Sequence, residues 1–309
     1  MNFILFFFTF LLALIFGWNN SSLCSSWLVS SRIISYKKSI LLVFIGFILG
    51  ALLEGYKMEW PYFQAITINE IYLSIVFFVT LFLLFIATIH KIPTSLSILI
   101  VFSLIAVSLF SSLKVNLLTI ELLLIWWIVS TLLSILLSRI FTIYSKRIFQ
   151  TTNIFQEISF HKIGGVLASF YVAYSLGANN IGFLLSFFKT NSYIFLILII
   201  IATILGVYIF SKQIIRSVGE NITILSPRQV IISLLSASFM LWISTQLGFI
   251  SPFSMYVIGA VIGSGTSSRY YMINIKYLKD VLIYWMLTAI SSFIFTIAIL
   301  QFGKLLRIA

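Results

Sequence analysis

Charge is what this sequence has least of. Only 8% of its 309 residues are Asp, Glu, Lys or Arg, against roughly a quarter in a soluble globular domain. The seven acidic residues lie mainly in connections or at the ends of apolar stretches, and they form no paired acid and base, which speaks against an enzyme. One cysteine, Cys24, excludes an intramolecular disulfide and any multi-cysteine metal site. With only two histidines, His90 and His161, both in connections, no histidine and carboxylate cluster forms and no metal site or cofactor is expected.

What fills the space is apolar. Hydrophobic residues make up 61% of the chain, and the mean hydropathy is +1.16. These values define a polytopic membrane protein, located in the cell membrane and bounded by the lipid bilayer. At about 20 residues per span, the length allows on the order of ten crossings and leaves no room for a soluble domain. Apolar stretches run over 2–29, 39–53, 70–89, 95–112, 116–138, 164–188, 192–210, 229–247, 252–266 and 281–302. The stretches 39–53 and 252–266 are short for a full span, which suggests re-entrant or hairpin helices. The first stretch has the apolar core of a signal peptide but neither its basic start nor a small-residue cleavage site, and is read as retained.

Fourteen of the 19 Lys and Arg residues fall in the odd-numbered connections. Basic residues mark the cytoplasmic side of short loops, so both termini are expected outside. The same asymmetry, facing anionic lipid, accounts for the net charge of +12 without a nucleic-acid partner.

Two polar interruptions stand out, Gly17-Trp-Asn-Asn-Ser-Ser22 and Gly177-Ala-Asn-Asn-Ile-Gly182, one near the start of each half. A glycine followed by two asparagines is poorly suited to a lipid-facing helix, so each is expected to break its helix and be buried in protein or line a watery cavity. They belong to an internal repeat. Asn20 maps to Asn180 at an offset of 160, Ile48-Leu-Gly50 to Ile204-Leu-Gly206 at 156, Lys91 to Ser97 onto Gly248 to Ser254 at 157, and Trp127 and Ser130 onto Trp285 and Thr288 at 158. Five stretches per half is an odd number, so the second half enters from the opposite face. The expected fold is all-α and polytopic, with two inverted-topology repeats of about five membrane segments, residues 1–150 and 151–309, and broken or re-entrant helices at the midplane.

The order of these motifs, a Gly-x-Asn-x break, a Ser/Thr-rich turn with proline and a tryptophan-containing last helix, each occurring twice, resembles the inorganic phosphate transporter family. The segment Val218 to Pro227 is similar to that family's Val-Gly-x-x-Ile-Thr-x-Leu-x-Pro pattern. The resemblance implies a secondary transporter working by alternating access on inorganic phosphate. The chain departs from the family at telling places: Asn20 and Asn180 stand where the family carries aspartate, and Ile98 and Met255 where it carries histidine.

Binding a tetrahedral oxyanion calls for hydrogen-bond donors, which half-helix N-termini, hydroxyls and amides supply. The expected lining is Asn19, Asn20, Ser21, Ser22, Thr94, Ser95, Ser97, Asn179, Asn180, Ser251 and Ser254, with Asn20 and Asn180 able to offer a carbonyl oxygen to a cation but not to accept a proton. The coupling ion, proton or sodium, is left open by the residues, as are phosphate against sulfate and the oligomeric state, a homodimer being one option. An uncoupled or channel-like anion permease and a transport-inactive structural subunit remain alternatives. Asn, Ser and Thr also act as interhelical glue in membranes at around 0.6 kcal/mol each, and any single serine on the candidate surface could do only that.

Overall fold

The computed structural model describes residues 3–30, 32, 34–58, 70–90, 94–111, 117–148, 154–188, 193–221, 225–267 and 275–305. Within them the chain is helical: α1 (Phe3–Ser30), α2 (Tyr36–Glu54) with a 3-10 turn at Gly55–Met58, α3 (Glu70–Ile89), α4 (Leu96–Phe110), α5 (Leu117–Ile148), α6 (Ile154–Leu176), α7 (Gly182–Ser186), α8 (Tyr193–Asn221), α9 (Pro227–Gln246), α10 (Phe253–Gly265) and α11 (Ile275–Leu305). A π-helical turn, Gly177–Ile181, joins α6 to α7. Among the described residues, six helical segments are long and apolar enough to cross a membrane. The fold is that of an all-α polytopic membrane protein.

Two expectations about length are corrected. The stretch 39–53 is not short, because helix extends on both sides to give a 23-residue segment, Tyr36–Met58. Conversely, the stretch 95–112 yields a helix of only 15 residues, α4, comparable to the 13 residues of α10. At 1.5 Å per residue both fall near 20 Å, well under the roughly 30 Å of a bilayer core. Each short helix packs against the helix before it, α4 on α3 and α10 on α9, so both are arms of hairpins. The hairpin turn after α9 is closed by Gly248 at φ +72, where the Phe249 N–H reaches the Ser244 carbonyl at 2.8 Å. A left-handed residue at a helix C-terminus favours glycine.

The expected break in α1 does not occur. Gly17 to Ser22 stay helical within α1, and the matching segment in the second half widens into the π turn without interrupting the helix. The reason lies in the side chains. Asn20 returns its amide to the Phe16 carbonyl at 3.2 Å, so the polar group is satisfied inside its own helix. Gly17 serves contact between helices: a Cβ there would lie 2.0 Å from the Thr203 carbonyl oxygen of α8.

That contact has a counterpart. A Cβ at Gly177 would lie 2.4 Å from the Phe47 carbonyl oxygen of α2. Gly50 similarly abuts the Tyr174 carbonyl, and Gly206 the Leu14 carbonyl, at 1.9 and 1.8 Å from the virtual Cβ. Thus α1 crosses α8 as α2 crosses α6, and the contacting residues differ by the offsets of 160 and 156 seen in the sequence. Other helix pairs follow the same scheme, α5 on α10 with α4 on α11, and α1 on α3 with α6 on α9. By contrast α5 and α11 expose apolar faces, Leu122, Ile125 and Leu132 on one and Met286, Ile290 and Ile294 on the other, as suits contact with lipid acyl chains.

Because these glycines meet backbone rather than flexible side chains, the crossings have no room to yield. Gly50→Leu and Gly206→Leu are expected to cost at least the upper end of the about 1–3 kcal/mol typical of overpacking. Size-exclusion chromatography and thermal unfolding in detergent should show aggregated or strongly destabilised protein.

Candidate functional site

Both Asn-Asn pairs are buried, with Asn19, Asn20, Asn179 and Asn180 each 5% exposed or less. They lie on the first helix of each half, beside the glycines that set the crossings. Around them stand the two hairpin turns. Thr94, Ser95 and Ser97 come from the start of α4, and Ser251 and Ser254 from the start of α10; all five are buried. The side chains of Ser21 and Ser22 lie outside the described residues, as do Lys91 to Pro93 of the first turn.

The first asparagine of each pair holds a hairpin. Asn19 Nδ2 donates to Thr88 Oγ1 at 2.9 Å, near the end of α3. Asn179 Nδ2 donates to Thr245 Oγ1 at 3.1 Å, near the end of α9, and to the Phe249 carbonyl at 3.0 Å. Its Oδ1 accepts from the Ser251 N–H at 3.2 Å. Thr88 and Thr245 are related by the offset of 157 that relates the two turns, and sequence reading did not pick out either one. Asn179 is consequently occupied by protein, fastening the second hairpin tip to the π turn.

The second asparagine is placed differently. Ser97 Oγ donates to the Ser251 carbonyl at 2.9 Å and lies 3.3 Å from Asn180 Oδ1. One serine of the first hairpin thereby touches both the second hairpin tip and the second Asn-Asn pair. On the other side, Ser254 is 1% exposed and its hydroxyl has no partner among the described residues. A buried hydroxyl without a partner is costly, so this atom points to a ligand or a water. Ser97 lies in the first turn of α4 and Ser254 in the first turn of α10. The positive ends of two helix dipoles, with first-turn N–H groups that lack intrahelical partners, therefore converge on one buried place where the described side chains carry no charge.

Beside this centre the 3-10 turn after α2 packs against the second hairpin. Met58 Sδ lies 3.6 Å from Asn179 Nδ2. Lys57 donates to Gln246 Oε1 at 2.7 Å, Gln246 Nε2 to Glu54 Oε2 at 2.7 Å, and Trp242 Nε1 to Glu54 Oε1 at 3.3 Å. These four residues tie α2 and its 3-10 turn to α9 across the two halves. The sequence signal was faint: Glu54 reads as an ordinary charge at a span end.

Residues 156–296 match the model of the phosphate transporter family. The chain is 25% identical, over 93% of its length and 92% of the relative's, to a protein assigned as a phosphate permease in Methanocaldococcus jannaschii. It superposes on a solved structure described as the sodium-dependent phosphate transporter with a TM-score of 0.83, at 20% identity and with 98% of each chain covered. At that identity the likeness establishes the shared fold.

Asn179→Ala strips the acceptor from a buried backbone N–H and frees the hairpin tip. A loss of about 1–3 kcal/mol of stability is expected, measurable as lowered thermal stability in detergent before any transport is assayed.

Proposed function

We propose that this chain, a divergent member of the phosphate transporter family, is a secondary transporter that moves inorganic phosphate across the cell membrane by alternating access. The observation that carries this reading is the convergence of Ser97, Asn180, Ser251 and Ser254 at the N-termini of two short helices, buried and without fixed charge. Helix N-termini with flanking hydroxyls and amides offer directional donors to a tetrahedral oxyanion while leaving the dipole field to balance its charge. Asn20, Thr94 and Ser95 complete the lining; Asn19 and Asn179 hold the walls in place. Sulfate is the second candidate, since the donor set is the same.

Residues 1–150 and 151–309 are read as inverted repeats, a view supported by the mirrored glycine contacts and by the paired Asn-Thr bonds. With 14 of 19 basic residues in one set of connections, both termini are placed outside. Coupling departs from a carboxylate-based scheme. A monovalent cation in a low-dielectric site needs a compensating charge, and at Asn20 and Asn180 only amides are available. Transport is accordingly read as having little dependence on sodium and as driven by protons through another group or by the anion's own gradient.

Uptake of labelled phosphate into proteoliposomes, with and without imposed sodium and proton gradients, tests the whole reading. Phosphate should accumulate or equilibrate in an Ser97-dependent manner, with sulfate as a competitor. Ser97→Ala and Asn180→Ala should raise the apparent KM by roughly ten- to hundredfold, the scale of about 1.5–3 kcal/mol for a hydrogen bond to a charged ligand. Unchanged KM in folded variants would place the site elsewhere.

The sodium requirement is checked in the same vesicles. The unmodified protein should take up phosphate nearly as fast in choline as in sodium medium, and Asn20→Asp with Asn180→Asp should either create sodium dependence or abolish uptake by repelling the anion. Steep sodium-driven accumulation by the unmodified protein would overturn the argument from the missing carboxylates.

A further inference from the structure

The largest fully buried side chain among the described residues is that of Tyr256, in the first turn of α10 and two residues beyond Ser254. Its hydroxyl lies 2.6 Å from Ser130 Oγ on α5 and 3.2 Å from Ser244 Oγ on α9. The same helix α5 fastens the hairpin at three more points. Trp127 Nε1 donates to the Ile250 carbonyl at 2.8 Å, Trp126 Nε1 to Ser244 Oγ at 2.9 Å, and Ser134 Oγ to the Tyr256 carbonyl at 2.8 Å. Ile250 and Ser251 are neighbours in the turn whose carbonyl meets Ser97.

Part of this arrangement is repeated in the first half and part is not. Ser292 Oγ of α11 donates to the Leu99 carbonyl of α4 at 2.6 Å, the counterpart of Ser134 with Tyr256 at the offsets of 158 and 157. At the side chain the symmetry ends, because leucine has no hydroxyl. A phenylalanine would fill nearly the same volume as Tyr256 without bringing a polar group into the core, where an unpaired hydroxyl is penalised. The hydroxyl is instead held between Ser130 of α5 and Ser244 of α9, on the helix that begins just after Ser251 of the candidate anion site.

We propose that Tyr256 is a positioning residue for anion binding: its hydroxyl links α5 to the second hairpin and sets the placement of Ser251 and Ser254, an anchor that Leu99, at the matching position of the first hairpin, cannot provide. The inference rests on reading Ser97, Ser251 and Ser254 as the phosphate site. It goes beyond that reading by assigning a role to a residue that does not touch the anion and to the hydroxyl network behind it.

The experiment compares Tyr256→Phe, Ser130→Ala and the double variant with the unmodified protein, reading the KM and Vmax of phosphate uptake in proteoliposomes and thermal stability in detergent. Tyr256→Phe should raise KM about 3- to 10-fold, the size of one neutral hydrogen bond, with Vmax within twofold and thermal stability nearly unchanged. Ser130→Ala, which keeps the tyrosine, should raise KM in the same direction, and the double variant should add little to the larger single effect because both changes remove one linkage. Should Tyr256→Phe fail to fold, Ser130→Ala decides alone. An unchanged KM in both single variants, with Ser97→Ala still impairing binding, overturns the positioning role and leaves the network as interhelical glue. Unchanged KM in all three, Ser97→Ala included, overturns the site reading and this inference together. Lowered stability and Vmax with KM unaltered would also overturn it.

Discussion

The contact on which the rest depends is the meeting of backbone with backbone where α1 crosses α8 and α2 crosses α6. Gly17 and Gly177 leave no space for a side chain, and each is followed within three residues by its Asn-Asn pair. In hydrocarbon, helix association draws on close packing rather than on hydrophobic burial, and small residues are what allow two backbones to approach. The crossing thus does two things at once. It binds each half to the other, and it carries four amides into the interior at positions that loops or lipid-facing helices could not hold.

From there the two halves divide their labour similarly but unequally. In each, the first asparagine bonds a threonine near the end of the hairpin's leading helix, Asn19 to Thr88 and Asn179 to Thr245. In the second half the amide also reaches into the hairpin turn, to Phe249 and Ser251. Across the centre, Ser97 reaches Asn180 and Ser251, whereas its repeat counterpart Ser254 has no partner among the described residues. Matched groups of the two halves meet in one place, and there Ser254 keeps a hydroxyl that no described residue engages.

Much of this was legible in the sequence, for physical reasons. Ten apolar stretches became helices because lipid leaves a backbone no other partner than itself. The repeat offsets survived into three-dimensional contacts because packing of glycine on carbonyl tolerates no drift. What misled was the polarity of Gly17 to Ser22, which suggested a break. A helix can absorb asparagines by returning an amide to its own carbonyl, as Asn20 does to Phe16, or by reaching a neighbouring helix, as Asn19 does to Thr88. Composition counts polar groups but does not record their partners. The same limit hid Thr88, Thr245 and Tyr256, which read as ordinary residues of apolar spans; applying the offset of 157 to threonines as well as to motifs would have found the first two.

The missing carboxylates then acquire a structural sense. An anion beside fixed negative charge in a low-dielectric place is repelled unless cations offset that charge. On the reading proposed above, asparagine in place of both aspartates removes that repulsion and leaves hydroxyls, amides and helix termini, whose dipoles would face the anion. Dipoles held rigidly can stabilise charge with little reorganisation, but only if their orientation is maintained by what stands behind them. The weight therefore shifts from ions to supports: Asn179 at the π turn, Trp126, Trp127 and Ser134 on α5, and the Tyr256 hydroxyl among them. On the proposed reading, neutral groups can hold an anion only through their geometry, so these supports would matter as much as the groups that touch it.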